Sequence, residues 1–266
     1  MELRVIGSSS AGNAYLLRAE DGQSLLIEAG CPFKAIKRAC DYNVSDIVGC
    51  IVTHEHGDHA GHVGEILKST NIKVYASNGT VEAIKAKGGI SGGTTRLRVL
   101  EGGKMAYLGA FRVIPIPLEY TDKNGEVNWL HDAEEPFCYL VRHEEMGTLL
   151  FATDCYCLPG HFTDINQLMI ECNYDKGLLD EHYKAGLIDP KRRNRTIQSH
   201  MSSTTCVTEV FKTSLLSNLK NIVLIHVSND NGIPRLFERM VKQASGCESV
   251  WVANAGMQIP MNKIPF

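Results

Sequence analysis

The chain has no marked excess of charge of either sign: 27 Lys and Arg stand against 30 Asp and Glu, a net charge of −3. That excludes a global basic bias toward nucleic acid or membrane surfaces. No apolar run approaches the roughly 18 residues that a membrane helix needs. The opening "MELRVIGSSS" goes straight into an alternating strand pattern with no basic stretch leading into a long apolar one, so no signal peptide is expected. There is no internal repeat, and no linker or low-complexity segment long enough to split the chain. The nine cysteines are odd in number and scattered. Two pairs are close, Cys155 with Cys157 and Cys31 with Cys40, but neither has zinc-knuckle or thioredoxin spacing. This usage predicts free, mostly buried thiols in a reducing cytoplasm rather than a disulfide-stabilised secreted protein.

What is present is enough apolar material for one large core, or two small domains at most: 266 residues, 44% of them hydrophobic. Strand patterns are predicted at Leu3–Ile6, Ala14–Arg18, Ser24–Glu28, Val48–Val52, Lys73–Tyr75, Arg96–Leu100, Phe111–Leu118, Phe137–Val141, Thr148–Ala152, Gln167–Glu171, Asn221–Ile225 and Ser249–Val252. Helix patterns are predicted at Phe33–Cys40, Ala60–Lys68, Gly79–Ala86, Lys176–Ala185, Ser203–Leu216 and Ile233–Ala244. "KGGISGGTT" at 87–95 and "TDKNGEVN" at 121–128 read as surface turns or lids. One mixed α/β domain over 1–266 is the economical expectation.

Residues 53–62 read "THEHGDHAGH", directly after the apolar strand "IVGCIV". Unpaired charges are costly at the end of a buried strand, so something must hold these groups together. His54, His56, Asp58 and His59 form H-x-H-x-D-H. On a tight turn the first two imidazoles can reach one ion, and Asp58 and His59 a second ion nearby. Gly57 lets the backbone fold sharply between the pairs. Imidazole with carboxylate is a ligand set for zinc, with manganese or iron as further possibilities. The alternative is a histidine-rich surface loop. Two ions need more ligands, and strand ends offer three: His131 in "NWLHDAEEP", Asp154 in "LLFATDCY" and His226 in "NIVLIHVSNDN". Asp154 could bridge both ions through its two oxygens.

The order "THEHGDH", His131, Asp154, His226 resembles the metallo-β-lactamase superfamily across the whole chain. The resemblance implies an αβ/βα sandwich of two packed mixed sheets flanked by helices, with a dinuclear site at one edge. It assigns His54, His56 and His131 to the first ion, Asp58, His59 and His226 to the second, and Asp154 to the bridge. Where the family usually has Asp before Ala-Gly, "LLIEAG" carries Glu28, which would steady the metal loop from behind the ligands. "VIGSSSAGNAYLL", "LHDAEEP", "ECNYDKGLL", "SHMSS" and "HVSNDN" together are most similar to the YycJ/WalJ-type exonuclease family. "SHMSS" departs from the more usual "GHLSN" but keeps His200 and Ser202 in place. Three segments also resemble ribonuclease Z: Glu171-Cys172-Asn173, His200-Met201-Ser202 and His226-Val227-Ser228. Asp154 and His226 are 72 positions apart, which leaves no room for the inserted domain of the β-CASP nucleases. His56 stands where flavodiiron proteins carry Glu.

A water on two such ions loses its proton near neutral pH, a pKa drop on the order of 8 units from bulk water, and becomes the nucleophile. No side-chain nucleophile is then required. Phosphate recognition needs further donors. "PKRRNRTIQSH" offers Lys191, Arg192, Arg193 and Arg195 just ahead of His200, either as phosphate contacts or as a solvated loop. "GSSSAGN", with Ser9 and Asn13, is either an anion nest or a plain hairpin loop. Ser202 and Ser203 precede a helix that they could cap and aim at an anion. Ser228 follows the ligand His226. His200 is either structural or the donor that protonates the leaving oxygen, held in the right tautomer by Glu171; both are counted as catalytic with Asp58. The resemblance to ribonuclease Z points to the same pair as a proton shuttle. The expected function is a cytoplasmic, dinuclear metal-dependent phosphodiesterase, a DNA exonuclease with nucleic acid as its partner. The alternatives are a small-ester hydrolase of the same fold, acting on a cyclic phosphodiester or thioester, and a non-catalytic metal-binding regulator.

Overall fold

A computed structural model describes residues 1–88, 94–212 and 218–264. Two seven-stranded sheets pack face to face. The first runs β16-β1-β2-β3-β4-β5-β6, where β1 is Glu2–Ser9, β2 Gly12–Arg18, β3 Ser24–Ile27, β4 Ile47–Ile51, β5 Val74–Ala76, β6 Leu97–Val99 and β16 Gln258–Pro260. The second runs β15-β14-β13-β12-β11-β8-β7, with β7 Ala106–Leu108, β8 Phe111–Pro117, β11 Phe137–His143, β12 Gly147–Ala152, β13 Gln167–Glu171, β14 Asn221–Ile225 and β15 Val250–Val252. Both sheets are mixed. The pairs from β3 to β6 and from β12 to β15 are parallel, the others antiparallel.

Strand periodicity sorts the side chains. Along β3, Leu25 and Ile27 face the second sheet and join a core with Phe111, Tyr139, Phe151, Met169 and Ile225. Leu26 faces outward, beneath Phe33 of α1 (Phe33–Ala39), Ile66 of α3 (Val63–Ser69) and Val81 of α4 (Asn78–Ala86). The outer face of the second sheet is covered in the same way, by Cys206 of α7 (Ser203–Lys212) and by Phe237 and Val241 of α8 (Pro234–Ser245). Central strands buried on both faces read as unbroken apolar runs, which is why "IVGCIV" shows no alternation. The layers are those of the expected αβ/βα sandwich. Among the described residues no helix is long and apolar enough to cross a membrane.

Several elements differ from expectation. The surface turn expected at 121–128 is there, but it joins two strands that were not expected: β9 (Glu119–Thr121) and β10 (Val127–Trp129) pair as a small separate hairpin. The basic run is not a solvated loop but part of α6 (Pro190–Ser199), following α5 (Lys176–Lys184). Asp189 caps α6 by accepting from the Arg192 amide, and Pro190 occupies its first turn. The helix expected at Ala60–Lys68 is two pieces, α2 (Gly57–Ala60) and α3. The turn expected at 87–95 and the end of the helix expected at Ser203–Leu216 lie partly outside the described residues.

Candidate metal centre and active-site cleft

The parallel strands β3, β4, β12, β13 and β14 end at one edge of the sandwich, and every expected ligand except His131 lies just beyond one of these ends or on the turn that follows. Two of these groups and Glu28 behind them leave their strands with left-handed backbone: Asp154 at φ 49°, His226 at φ 52° and Glu28 at φ 67°. Such conformations cost about 1–3 kcal/mol each in a non-glycine residue and persist where the surroundings impose them. Gly30 lets the loop close: a Cβ there would lie 1.7 Å from the Asp58 carbonyl oxygen. Asn13 ties the same layers together, its side-chain amide donating to the carbonyls of Ser9 and Asp58 at 3.0 and 3.2 Å.

Two groups of ligand atoms result, each within 4.8 Å: His54, His56, His131 and Asp154, and Asp58, His59, Asp154 and His226. Asp154 belongs to both. Its Oδ2 lies 3.7 Å from the Nε2 atoms of His54 and of His131 and 3.4 Å from that of His59. Asp58 Oδ2 lies 3.4 Å from His59 Nε2 and 3.3 Å from His226 Nε2. These gaps are too long for good hydrogen bonds. They match the spacing of about 3.4 Å between neighbouring ligands of a tetrahedral ion with bonds of roughly 2.0–2.1 Å. His54 Nε2 and both nitrogens of His131 are buried with no hydrogen-bond partner. Buried polar atoms are rarely left that way.

Charge makes the same point. Glu28, Glu171, Asp154 and Asp58 converge here, the first three buried, and among the described residues their ion pairs are all with histidines. Two divalent cations would bring equal and opposite charge. Burial lowers His59 and His226, but the surrounding carboxylates, Asp154 first, outweigh it and raise both well above the ordinary histidine range. In the first group burial dominates. It lowers His54 and takes His131 down to about 4, so these imidazoles are neutral ligands in waiting. The residues fit a dinuclear centre.

The groups behind the ligands set their orientation. His54 Nδ1 pairs with Thr53 Oγ1 at 2.9 Å, and Thr53 Oγ1 is thereby fixed beside the strand end. Glu28 accepts from the Thr53 amide at 3.2 Å and directs its other oxygen at His59 Nδ1, 3.6 Å away. Thr153 donates to Asp154 Oδ1 at 2.9 Å. Glu171 accepts the amides of Cys155 and Met201 on one oxygen and faces His200 Nδ1 (2.8 Å) and His226 Nδ1 (3.0 Å) with the other. A third group, Asp154, Glu171, His200 and His226, is as tight as the other two. Its members touch at hydrogen-bond length, including His226 Nδ1 to Asp154 Oδ1 at 2.8 Å, which leaves no gap for an ion.

A cleft of about 310 Å³ opens over the ligands, lined among others by Ser10, Asn173, Arg192, Arg195, His200, Ser228 and Asn231. Some expected substrate contacts are there and some are not. Arg192 and Ser228 line it. Arg193 does not: it points to the other side of α6, where it pairs with Asp180 at 2.6 Å and stacks over Tyr183. Helical spacing instead brings Arg195, three positions from Arg192, to the cleft. Ser202 is buried and caps α7 by accepting from the Thr205 amide at 3.1 Å. In the hairpin loop Ser10, not Ser9, reaches the cleft, while Asn13 is buried behind His59. Asp132 escaped the sequence reading. Its Oδ1 lies 3.2 Å from His131 Nε2 and its Oδ2 3.3 Å from Arg195 Nε. An acid next to a candidate ligand in "LHDAEEP" was the available signal.

The comparisons with known proteins agree with this geometry. The sequence model described as the metallo-beta-lactamase superfamily matches residues 9–145. The chain is 26% identical to the exodeoxyribonuclease YycJ of Bacillus anthracis over 250 residues, 91% of this chain and 88% of that one. It is 24% identical to the exodeoxyribonuclease WalJ of Streptococcus pneumoniae serotype 2 over 241 residues, 87% and 83% of the two chains. The crystal structure of the short form of human tRNase Z superimposes with a TM-score of 0.63 at 17% identity, over 98% of this chain and 99% of the other, a likeness of fold alone. Motif, sandwich and matched segment together make this chain a member of the metallo-β-lactamase superfamily.

Proposed function

We propose that this hydrolase is a phosphodiesterase that releases nucleotides from DNA ends, using two divalent ions, zinc by preference, within one domain spanning 1–266. The observation that carries the reading is one cleft that brings candidate ligands and phosphate-binding groups together. His56, Asp58, Asp154 and His226 line it with His200, Arg192 and Arg195, and Glu171 lies behind His200. The similarity to two exodeoxyribonucleases supports DNA as the substrate. A cytoplasmic setting suits such a reaction.

The ions, when bound, supply Lewis acidity and lower the pKa of water. The chain's own residues do the rest. His54, His56 and His131 would hold one ion, Asp58, His59 and His226 the other, with Asp154 shared. Arg192 and Arg195 neutralise the incoming backbone and hold its register. His200 gives Nδ1–H to Glu171, so its Nε2 faces the cleft, where it donates a proton to the departing oxygen. Burial opposes charge on His200, but Glu171 outweighs it and the imidazole titrates above the ordinary 6.5. Glu171 thereby favours the protonated form that a general acid needs.

The purified protein, assayed on end-labelled single- and double-stranded DNA and RNA with zinc, manganese and iron, tests the reading. Stepwise loss of nucleotides from DNA is expected. Turnover of a small chromogenic diester with no cleavage of any polymer would replace it with a small-ester hydrolase.

A further inference from the structure

A second cavity, about 490 Å³, adjoins the metal centre. Its walls are Tyr120 and Trp129 of the β9–β10 hairpin, Tyr156 from the loop after β12, and Ile197 of α6. It reaches His131 and Asp132, and Arg195 lines both this cavity and the catalytic cleft. The two spaces therefore share one cation at their boundary. The hairpin pairs only three residues on each strand and forms no ladder with either sheet. Yet it carries Tyr120 at 43% exposure and Trp129 at 40%, and Ile197 across from them is 36% exposed. Large rings left in water on a small appendage beside a catalytic site mark a surface that binds something.

The position narrows what that is. A phosphodiester with its phosphate at the metals and Arg195 carries a flat, largely apolar base one sugar away. Aromatic rings are the sequence-tolerant surface on which such bases stack. The amides of Asn128 and Gln198, also on the cavity wall, have donors and acceptors for a base edge. Tyr156, pushed up to about 12 chiefly by burial, stays a neutral phenol at working pH. We infer that this cavity is a stacking slot for the nucleobase next to the scissile phosphate of a single-stranded DNA end, with Trp129 and Tyr120 as its platform. The inference rests on the nuclease reading and adds to it how a chain with no net basic charge grips a polymer: by rings at the end being cut rather than by a long basic track.

The test uses the metal-loaded protein and fluorescein-labelled single-stranded thymidine decamers with hydrolysis-resistant phosphorothioate linkages, compared with the same backbone lacking bases. Binding is read by anisotropy. Stacking on one ring predicts that Trp129→Ala weakens binding of the base-bearing decamer by roughly 5- to 150-fold. Binding of the abasic decamer should not change. Tyr120→Ala should act in the same direction, and Trp129→Phe should restore most of the affinity. If the intact protein binds both decamers equally, or neither, or if Trp129→Ala weakens both alike, the slot is refuted. Digestion of an ordinary decamer run in parallel separates the two claims. Cleavage without base discrimination removes the slot and leaves the nuclease reading. Base-dependent binding through Trp129 without cleavage of any strand keeps the slot and removes that reading.

Discussion

Replacing His200 by alanine should separate metal binding from proton delivery. Among the described residues the His200 side chain has one hydrogen-bond partner, a fully buried Glu171 2.8 Å from its Nδ1, and it is 19% exposed. Both metal groups are complete without it. The variant should therefore fold and keep two ions. General acid catalysis is typically worth about a hundredfold to ten-thousandfold, or roughly 2.7–5.4 kcal/mol at 1.36 kcal/mol per tenfold. The ring is mostly enclosed, so solvent is a poor substitute, and the loss should fall in the upper half of that range. Single-turnover release of a labelled terminal nucleotide, with elemental analysis of the same sample, measures both quantities. Two controls sharpen the reading. A nitrophenyl ester of a nucleotide has a leaving group that needs no proton, so its hydrolysis should lose far less. The pH profile follows from the sign of the shift. A general acid works only when protonated, and Glu171 raises His200 above 6.5. The wild-type rate should therefore fall as pH rises through that raised value, and the variant should lack this limb. Release of a metal would make His200 a ligand. Full activity with reduced stability would make it structural.

Further substitutions follow from the geometry. Asp154→Ala should be the most damaging single change at the centre, since Asp154 belongs to both ligand groups: elemental analysis should find both ions depleted, whereas Asp58→Ala should lose chiefly one. Gly30→Ala drives a Cβ into the Asp58 carbonyl at 1.7 Å and should cost about 3 kcal/mol in denaturant unfolding together with metal affinity; an unaltered midpoint would show that the loop yields freely. Removing Arg192 and Arg195 together should make the salt dependence of single-stranded DNA affinity shallower by roughly 1.4. Arg193→Ala, outside the cleft that Arg192 and Arg195 line, should leave it unchanged.

The centre was legible because its chemistry is local in sequence. Four of the seven candidate ligands fall in one turn after an apolar strand, and the others each sit at a strand end or before a strand start, where an isolated His or Asp stands out. The sheets were legible because central strands are buried on both faces. What escaped was decided by weaker signals. Helix α6 is almost wholly polar, so it shows no apolar period, and the Asp189-Pro190 cap was its only mark. Without a helix there is no way to tell that Arg192 and Arg195 share a face that Arg193 does not. The β9–β10 hairpin is short and exposed, so nothing in its pattern resembles a buried strand. In sequence Glu171 stands out only as a partner for His200. Its contact with His226 at 3.0 Å comes from the parallel register of β13 and β14, which sequence does not give. For that reason Glu171→Gln should disturb the metals as well as the acid, not merely repeat the His200 defect in milder form.

Two ions, held by the seven candidate ligands, should act together on a DNA end. Titrating metal-stripped protein with zinc or manganese, while following nucleotide release from end-labelled DNA, addresses this directly. Release should be absent without metal and should reach its plateau at two ions per chain. A plateau at one ion, or release that persists in the stripped protein, would contradict it.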